Sequence, residues 1–380
     1  MKKLFLIIGL LISLSGFATN YYFYVAGAGT GNSNDKANWY TDTVSWGGGG
    51  VAVPGASDNV YFTKAAGSCT CTVNATLTCL NFDCHGWGGT IAGSSSLDII
   101  GTICYLNGTF SNTGKIYSDG ISGTLTITSN GKTIYGIVVG NEFGSTQSVT
   151  MGDAFNVTNN ITVYYGTFNT NGKTGIISGT LSGNSLTNST ITMGSSNITL
   201  GSLDFTNLKT FNGNTSTIHI INSSATTAFS GNGKTFYNIY FDGTTGGGII
   251  SGSNTFTNLK FAPTASATYQ FTNNTTQTIT GDFIATGSGS ITITIRSTAN
   301  SGTIPVIQSS AKIGCSNDYV ADGVTNTYYG VSFAQVGGVG SGYLGSHSSI
   351  STGTGAPINW NLTVCPGVST GNTLMFGTEF

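Results

Sequence analysis

Charge is scarce in this chain. Charged residues make up 7% of its 380 positions, against about 25% in an ordinary soluble domain. Arginine occurs once, at Arg296, and glutamate twice, at Glu142 and Glu379. The twelve aspartates are spread thinly, with no Asp-Asp or Asp-x-Asp. Polysaccharide hydrolysis needs two carboxylates about 5–9 Å apart, and elimination needs a base with cations or metal to steady the developing negative charge. The composition therefore argues against both. The formal net charge of −2 supplies no attraction to nucleic acid or to an anionic membrane. Proline is also rare: Pro54, Pro263, Pro305, Pro357 and Pro366 leave the stretch 55–262 without one. A proline removes a ladder hydrogen bond from a sheet, so this long interval reads as uninterrupted stacked strands.

Long apolar runs are missing after Ala18, so no membrane span is expected in the mature chain. The segment 1–18 has the layout of an export leader. Lys2-Lys3 are followed by the apolar run Leu4–Leu14 and the small-x-small site Gly16-Phe17-Ala18. A chain starting at Thr19 loses Lys2 and Lys3, so it carries ten Lys+Arg against 14 Asp+Glu, a net charge of −4. The expected location is extracellular or at the cell surface, where cysteines default to disulfides. Cys69, Cys71, Cys79, Cys84 and Cys104 crowd the first part of the chain, and Cys315 and Cys365 stand near its end. All seven are disulfide candidates; Cys315 with Cys365 would close the far end, and the odd count leaves one thiol over. A zinc reading of Cys79, Cys84 and His85 after Cys69-x-Cys71 lacks paired CxxC knuckles. No cofactor is expected.

A repeat is abundant where charge is not. Asn-Gly-Lys-Thr stands at Asn130–Thr133, Asn171–Thr174 and Asn232–Thr235. The intervals between copies read as two and three multiples of a period of about 20 residues, the mark of stacked coils that each touch only their neighbours. Phe236-Tyr237-Asn238-Ile239-Tyr240-Phe241 returns one period later as Phe256-Thr257-Asn258-Leu259-Lys260-Phe261, and Phe205-Thr206-Asn207-Leu208 is a further copy. Glycine fills 57 positions, yet 38% of residues are hydrophobic. They alternate with polar ones in runs such as Thr124-Leu125-Thr126-Ile127-Thr128 and Ile291-Thr292-Ile293-Thr294-Ile295. Period-2 alternation ended by Gly, Asn, Ser or Thr means strand and turn. The expected fold class is all-β: a parallel β-helix, or β-solenoid, with coils of about 20 residues. Residues 67–310 would form about twelve coils, a rod roughly 55–60 Å long.

The organisation follows. Residues 1–18 form the signal peptide, and 19–66 an N-terminal cap in which Trp39, Trp46 and Phe62 cover the first coil. Residues 67–310 form the solenoid, 311–360 the terminal coils and 361–380 a C-terminal tail. Caps are needed because an open coil exposes its core and an unpaired edge.

The aromatic strand Tyr21–Val25, the Gly/Asn loop to Asp35, Asn38-Trp39 and the Pro54…Asp58-Asn59-Val60 turn resemble the start of secreted bacterial and phage-type parallel β-helix repeat proteins. Gly231-Asn232-Gly233-Lys234-Thr235-Phe236, Ser251-Gly252-Ser253-Asn254-Thr255-Phe256 and the close from Asp318-Tyr319-Val320 to Asn359-Trp360 are similar to their coils. The resemblance covers most of the stretch 21–360. It implies a surface or fibre role, as in autotransporter-like adhesins and phage tail fibres or spikes.

Chemical motifs are sparse. Ala228–Thr235 satisfies a relaxed phosphate-loop pattern, but the β run Phe236–Phe241 follows it where a helix is required. Asp83 with Asp98, or Asp98 with Asp119, are near enough to one period apart to converge if a single coil separates them. Isolated turn aspartates are the simpler reading. Of His85, His219 and His347, His219 is expected to face outward from Thr217-Ile218-His219-Ile220. Outward Thr-x-Thr runs are similar to those of ice-binding solenoids, although polar strand faces are commonly Thr-rich. The expected function is a non-catalytic, exported structural or adhesive β-helix that binds surface glycans or another extracellular surface, with homo-oligomers allowed. Binding residues are not specified by the sequence. The alternatives are a tail-fibre or spike receptor-binding protein and a polysaccharide-degrading enzyme.

Overall fold

In the computed structural model, the structure describes residues 18–298 apart from 45–49, 142–144, 222–226, 245, 286–290 and 292. It also describes strands Val306–Ser309, Tyr329–Phe333, Gly337–Leu344, His347–Ile350 and Trp360–Val364. The expected leader 1–18 up to Phe17, together with Trp46, Cys315, Cys365 and the chain after Val364, lies outside this set.

The chain is an all-β parallel solenoid whose cross-section has three sheets. The first sheet starts with Thr30–Asn32, Thr70–Val73, Thr90–Gly93 and Thr109–Phe110. It resumes at Thr133–Ile134 and Phe155–Val157 and continues to Thr217–Ile220. The second sheet stacks Leu77–Cys79, Leu97–Ile99, Ile116–Ser118, Ile137–Val139 and Ile161–Val163. The third stacks Asn20–Phe23, Asn59–Tyr61, Asn81–Asp83, Ile103–Tyr105, Thr124–Thr128, Ser148–Met151 and Gly166–Asn169. In Gly175–Thr192 and Asn197–Asn212 a single extended run bends through all three sheets. Register gives the coil length directly. Asn59 pairs with Asn81 and Asn238 with Asn258, sequence separations of 22 and 20. The one antiparallel pairing among the described residues joins Asn20–Phe23 to Trp39–Tyr40. Among the described residues no helix is long and apolar enough to cross a membrane.

Alternation produces this architecture. In Thr124–Thr128, Leu125 and Ile127 are buried while the threonines face out. Parallel stacking then lines like with like along the axis. Leu125, Val149, Phe168 and Ile191 form one inward column. Phe241 stacks on Phe261 at 5.2 Å and Phe236 on Phe256 at 5.8 Å. Each fully buried side chain of this size contributes about 1.5–3 kcal/mol, and repetition along the rod makes the core continuous. At the N-terminal end Trp39, Phe23, Phe62, Phe82 and Trp87 pack together, with Phe62 and Trp87 centroids 4.7 Å apart.

The Asn-Gly-Lys-Thr repeat is a turn. Asn130, Asn171 and Asn232 have φ of +49°, +55° and +46°, and the glycines after them +71°, +69° and +77°. Asn-Gly is the dipeptide that accepts two consecutive left-handed positions. The Lys amide closes each turn onto the residue three back: Lys132 on Ser129 at 2.9 Å, Lys173 on Thr170 at 2.9 Å, Lys234 on Gly231 at 3.2 Å. The three copies do not serve one corner, however. Asn130 and Asn171 follow strands of the third sheet, whereas Asn232 follows Ser230, which pairs with Asp204 in the second. The interval from Asn171 to Asn232 is thus not a whole number of coils. A turn motif reports local backbone shape and says nothing of which corner it turns. The copy at Asn232 leads into strand Thr235–Phe241, with no helix to complete a phosphate loop.

The cysteines occupy core positions. Cys69, Cys71, Cys79, Cys84 and Cys104 are all buried and all free thiols, and burial pushes each thiol above its ordinary range. The structure lends no support to disulfides among these five. Cys84 points into the core while His85 is exposed, which separates two of the residues considered for zinc.

Candidate functional site

Outward columns decide what the solenoid presents. On the third sheet Asn59 donates to Asn20 at 2.9 Å and Asn81 to Asn59 at 2.7 Å, a hydrogen-bonded asparagine ladder. Beside it run Tyr22, Tyr61, Asp83 and Tyr105, one per coil. Tyr22 and Tyr61 stack at 5.4 Å. Asp83 accepts the His85 amide at 2.8 Å and belongs to this column.

Asp98 stands elsewhere. It is the middle residue of Leu97–Ile99 on the second sheet, in register with Thr78 on one side and Tyr117 on the other. Leu97 and Ile99 point inward, so Asp98 must point out. Asp119 follows strand Ile116–Ser118 one coil on and accepts from Asn141 Nδ2 at 3.1 Å. The structure therefore brings Asp98 and Asp119 together through Tyr117 and leaves Asp83 on a different face. Partial burial and the neighbouring Asp119 push the Asp98 carboxyl up to about 6. Burial also raises Asp119, against the opposing hydrogen bond from Asn141. Tyr117 is raised by burial and then by Asp98, Asp119 and Tyr164. Both carboxyls thus hold their protons more tightly than free ones, Asp98 into mildly acidic pH, and the Asn141 amide partly offsets the effect of burial on Asp119. Such a pair allows hydrogen-bond donation and acceptance side by side, the pattern that hydroxyl-rich ligands require and also the starting point for acid–base chemistry.

A third grouping has no counterpart among the motifs read from the sequence. His219 Nδ1 lies 2.5 Å from Asp242 Oδ2, one coil on. His219 faces outward between buried Ile218 and Ile220, as the alternation predicts. In register above it stand Tyr240 and then Lys260, whose Nζ is 5.6 Å from the Tyr240 ring centre. The signal in the sequence is the one-coil separation of His219 and Asp242. It is readable only once the corner positions are known.

The chain matches no family model, no curated protein and no solved structure. What places it is its own geometry, that of a parallel β-solenoid.

Proposed function

We propose that the protein is an exported, non-catalytic structural and adhesive rod that binds glycans or another extracellular surface along its outward columns. The observation that carries this reading is the in-register stacking of hydrogen-bonding and aromatic side chains over successive coils. Asn20–Asn59–Asn81, Tyr22–Tyr61 and the Asp98–Tyr117–Asp119–Asn141 group offer a sugar both aromatic faces to stack on and donors and acceptors to bond. Contacts of this kind are individually weak and gain from repetition along an extended ligand. The test is binding of the mature chain to an array of soluble and insoluble polysaccharides, beside Tyr117→Ala. Binding that Tyr117→Ala weakens at least several-fold supports the reading; a wild-type chain that binds no member contradicts it.

A second reading, polysaccharide cleavage, is favoured by one observation: Asp98 and Asp119 interact across adjacent coils with their proton affinities raised by burial. In that reading Asp98 is the acid and Asp119 the base or nucleophile.

A further inference from the structure

The third sheet carries a second kind of array. From Thr124 onward the outward positions pair coil by coil as Thr124-x-Thr126, Ser148-x-Thr150, Thr167-x-Asn169, Thr190-x-Thr192 and Thr210-x-Asn212. Between the members of each pair sits a residue turned to the core: Leu125, Val149, Phe168, Ile191 and Phe211 in turn. Phe211 then packs on Phe236 at 4.9 Å, where the outward pair becomes Thr235-x-Tyr237 and the ring-free array ends. The ten positions of the five-coil array carry no charge and no aromatic ring. Strand geometry sets the repeat at about 4.8 Å across the coils and about 6.7 Å along them.

At several other positions on the rod neighbouring coils pair their hydroxyls: Thr170 with Ser196 at 2.6 Å, Thr180 with Ser202 at 2.7 Å and Thr206 with Ser230 at 2.8 Å. In the array, Thr192 accepts from Asn212 at 3.3 Å and Ser148 from the Thr167 amide at 3.1 Å. Among the described residues the hydroxyls of Thr124, Thr126, Thr150, Thr167, Thr190 and Thr210 have no protein partner. The face therefore holds unspent donors and acceptors on a rigid two-dimensional lattice, each beside a methyl group.

Charge complementarity and periodicity select the partner. An uncharged array has nothing to offer a nucleic acid or a charged protein surface. Without aromatic rings it lacks the stacking platforms that a flat sugar polymer uses. What suits it is a partner that is itself an uncharged, rigid hydrogen-bonding lattice with repeats near these two spacings. We propose that this face binds ice. Pre-organisation is the physical basis: the strands already hold every hydroxyl in place, so each added coil contributes without a further ordering cost. The site is distinct from the Asp98–Tyr117–Asp119 group on the second sheet.

The test uses the full mature chain in a nanolitre osmometer, with retention on a growing ice surface as a second readout. The variants are Thr150→Lys with Thr190→Lys, Thr126→Val with Thr150→Val, and Thr162→Lys on the second sheet as control. Far-UV circular dichroism and melting establish that each variant folds. The expected result is faceted ice crystals and a gap between melting and growth temperatures. That gap falls to the buffer baseline in the double lysine variant, is at least halved in the valine variant and is unchanged in Thr162→Lys. The valine pair keeps the shape of the face and so isolates the hydroxyls if the lysine pair fails to fold. Unshaped crystals with wild-type protein, or full activity in both double variants, would overturn the proposal. So would retention of the wild-type chain on crystalline cellulose or chitin but not on ice, which would assign the face to a polysaccharide.

Discussion

Asp98 holds its proton more tightly than a free carboxyl because the sheet half-buries it and Asp119 stands one coil away. Its folded-state value near 6 lies above the ordinary carboxyl range. The folded chain therefore binds this proton more tightly than the unfolded chain, and stability from this group is greatest below about pH 4 and declines as pH rises through 6. Asp98→Asn removes the charge. Above pH 7 it is expected to raise the melting temperature by roughly 2 °C, taking about 1 kcal/mol after discounting for solvent screening. That gain should vanish by pH 4, and a gain independent of pH would rule the burial argument out. The cysteines invite a second residue-scale test. Cys71, Cys79, Cys84 and Cys104 are buried with raised proton affinity, so native protein should leave their peptides unalkylated and denatured protein should alkylate all four. Peptides that resist alkylation after denaturation would show disulfides that this arrangement does not contain. Legibility at this scale was uneven. The step from Asp98 to Asp119 is a full coil and does bring the two together, but the same reasoning paired Asp83 with Asp98. That step is shorter than a coil and lands on another face.

Turns are where elements reveal their costs. Gly131 has φ of +71° with nothing within 4 Å of where a methyl would stand, so Gly131→Ala meets backbone strain alone. The expected loss is about 1 kcal/mol in urea unfolding. Gly108 has φ of +63° and would place a Cβ 2.3 Å from the Gly89 carbonyl oxygen of the coil below. Gly108→Ala should lose markedly more, because stacked backbone cannot move aside without breaking register. Equal losses would mean that coil-to-coil contact is looser than the pairing implies. The N-terminal segment is the other element-scale case. Removing the stretch 19–66 would bare the aromatic cluster around Phe82 and Trp87 and the edge of Asn81–Asp83. Filaments or insoluble protein are expected, and a soluble monomer by light scattering would contradict a capping role. The alternation in Thr124–Thr128 was legible because period 2 maps directly onto inside and outside. The corner served by each Asn-Gly turn was not, since three identical tetrapeptides share a backbone shape and differ only in which strand precedes them.

At the scale of the whole molecule, a repeat is an efficient statement of fold and a poor one of function. Stacking depends on inward columns such as Leu125–Val149–Phe168–Ile191, which any solenoid needs. Function depends on the outward positions between them, where the sequence shows the same Asn, Ser and Thr almost everywhere. Only register distinguishes an asparagine ladder at Asn20–Asn59–Asn81, a carboxylate–tyrosine group at Asp98–Tyr117–Asp119 and an unspent hydroxyl array from Thr124 onward. The central claim is that the rod adheres without cutting. Its most direct test incubates the mature chain with a panel of polysaccharides and reads, in the same samples, bound protein and newly formed reducing or unsaturated ends. The account predicts retention on at least one polymer with no new ends. New ends that disappear with Asp98→Asn would contradict it and make the Asp98–Asp119 pair a catalytic site.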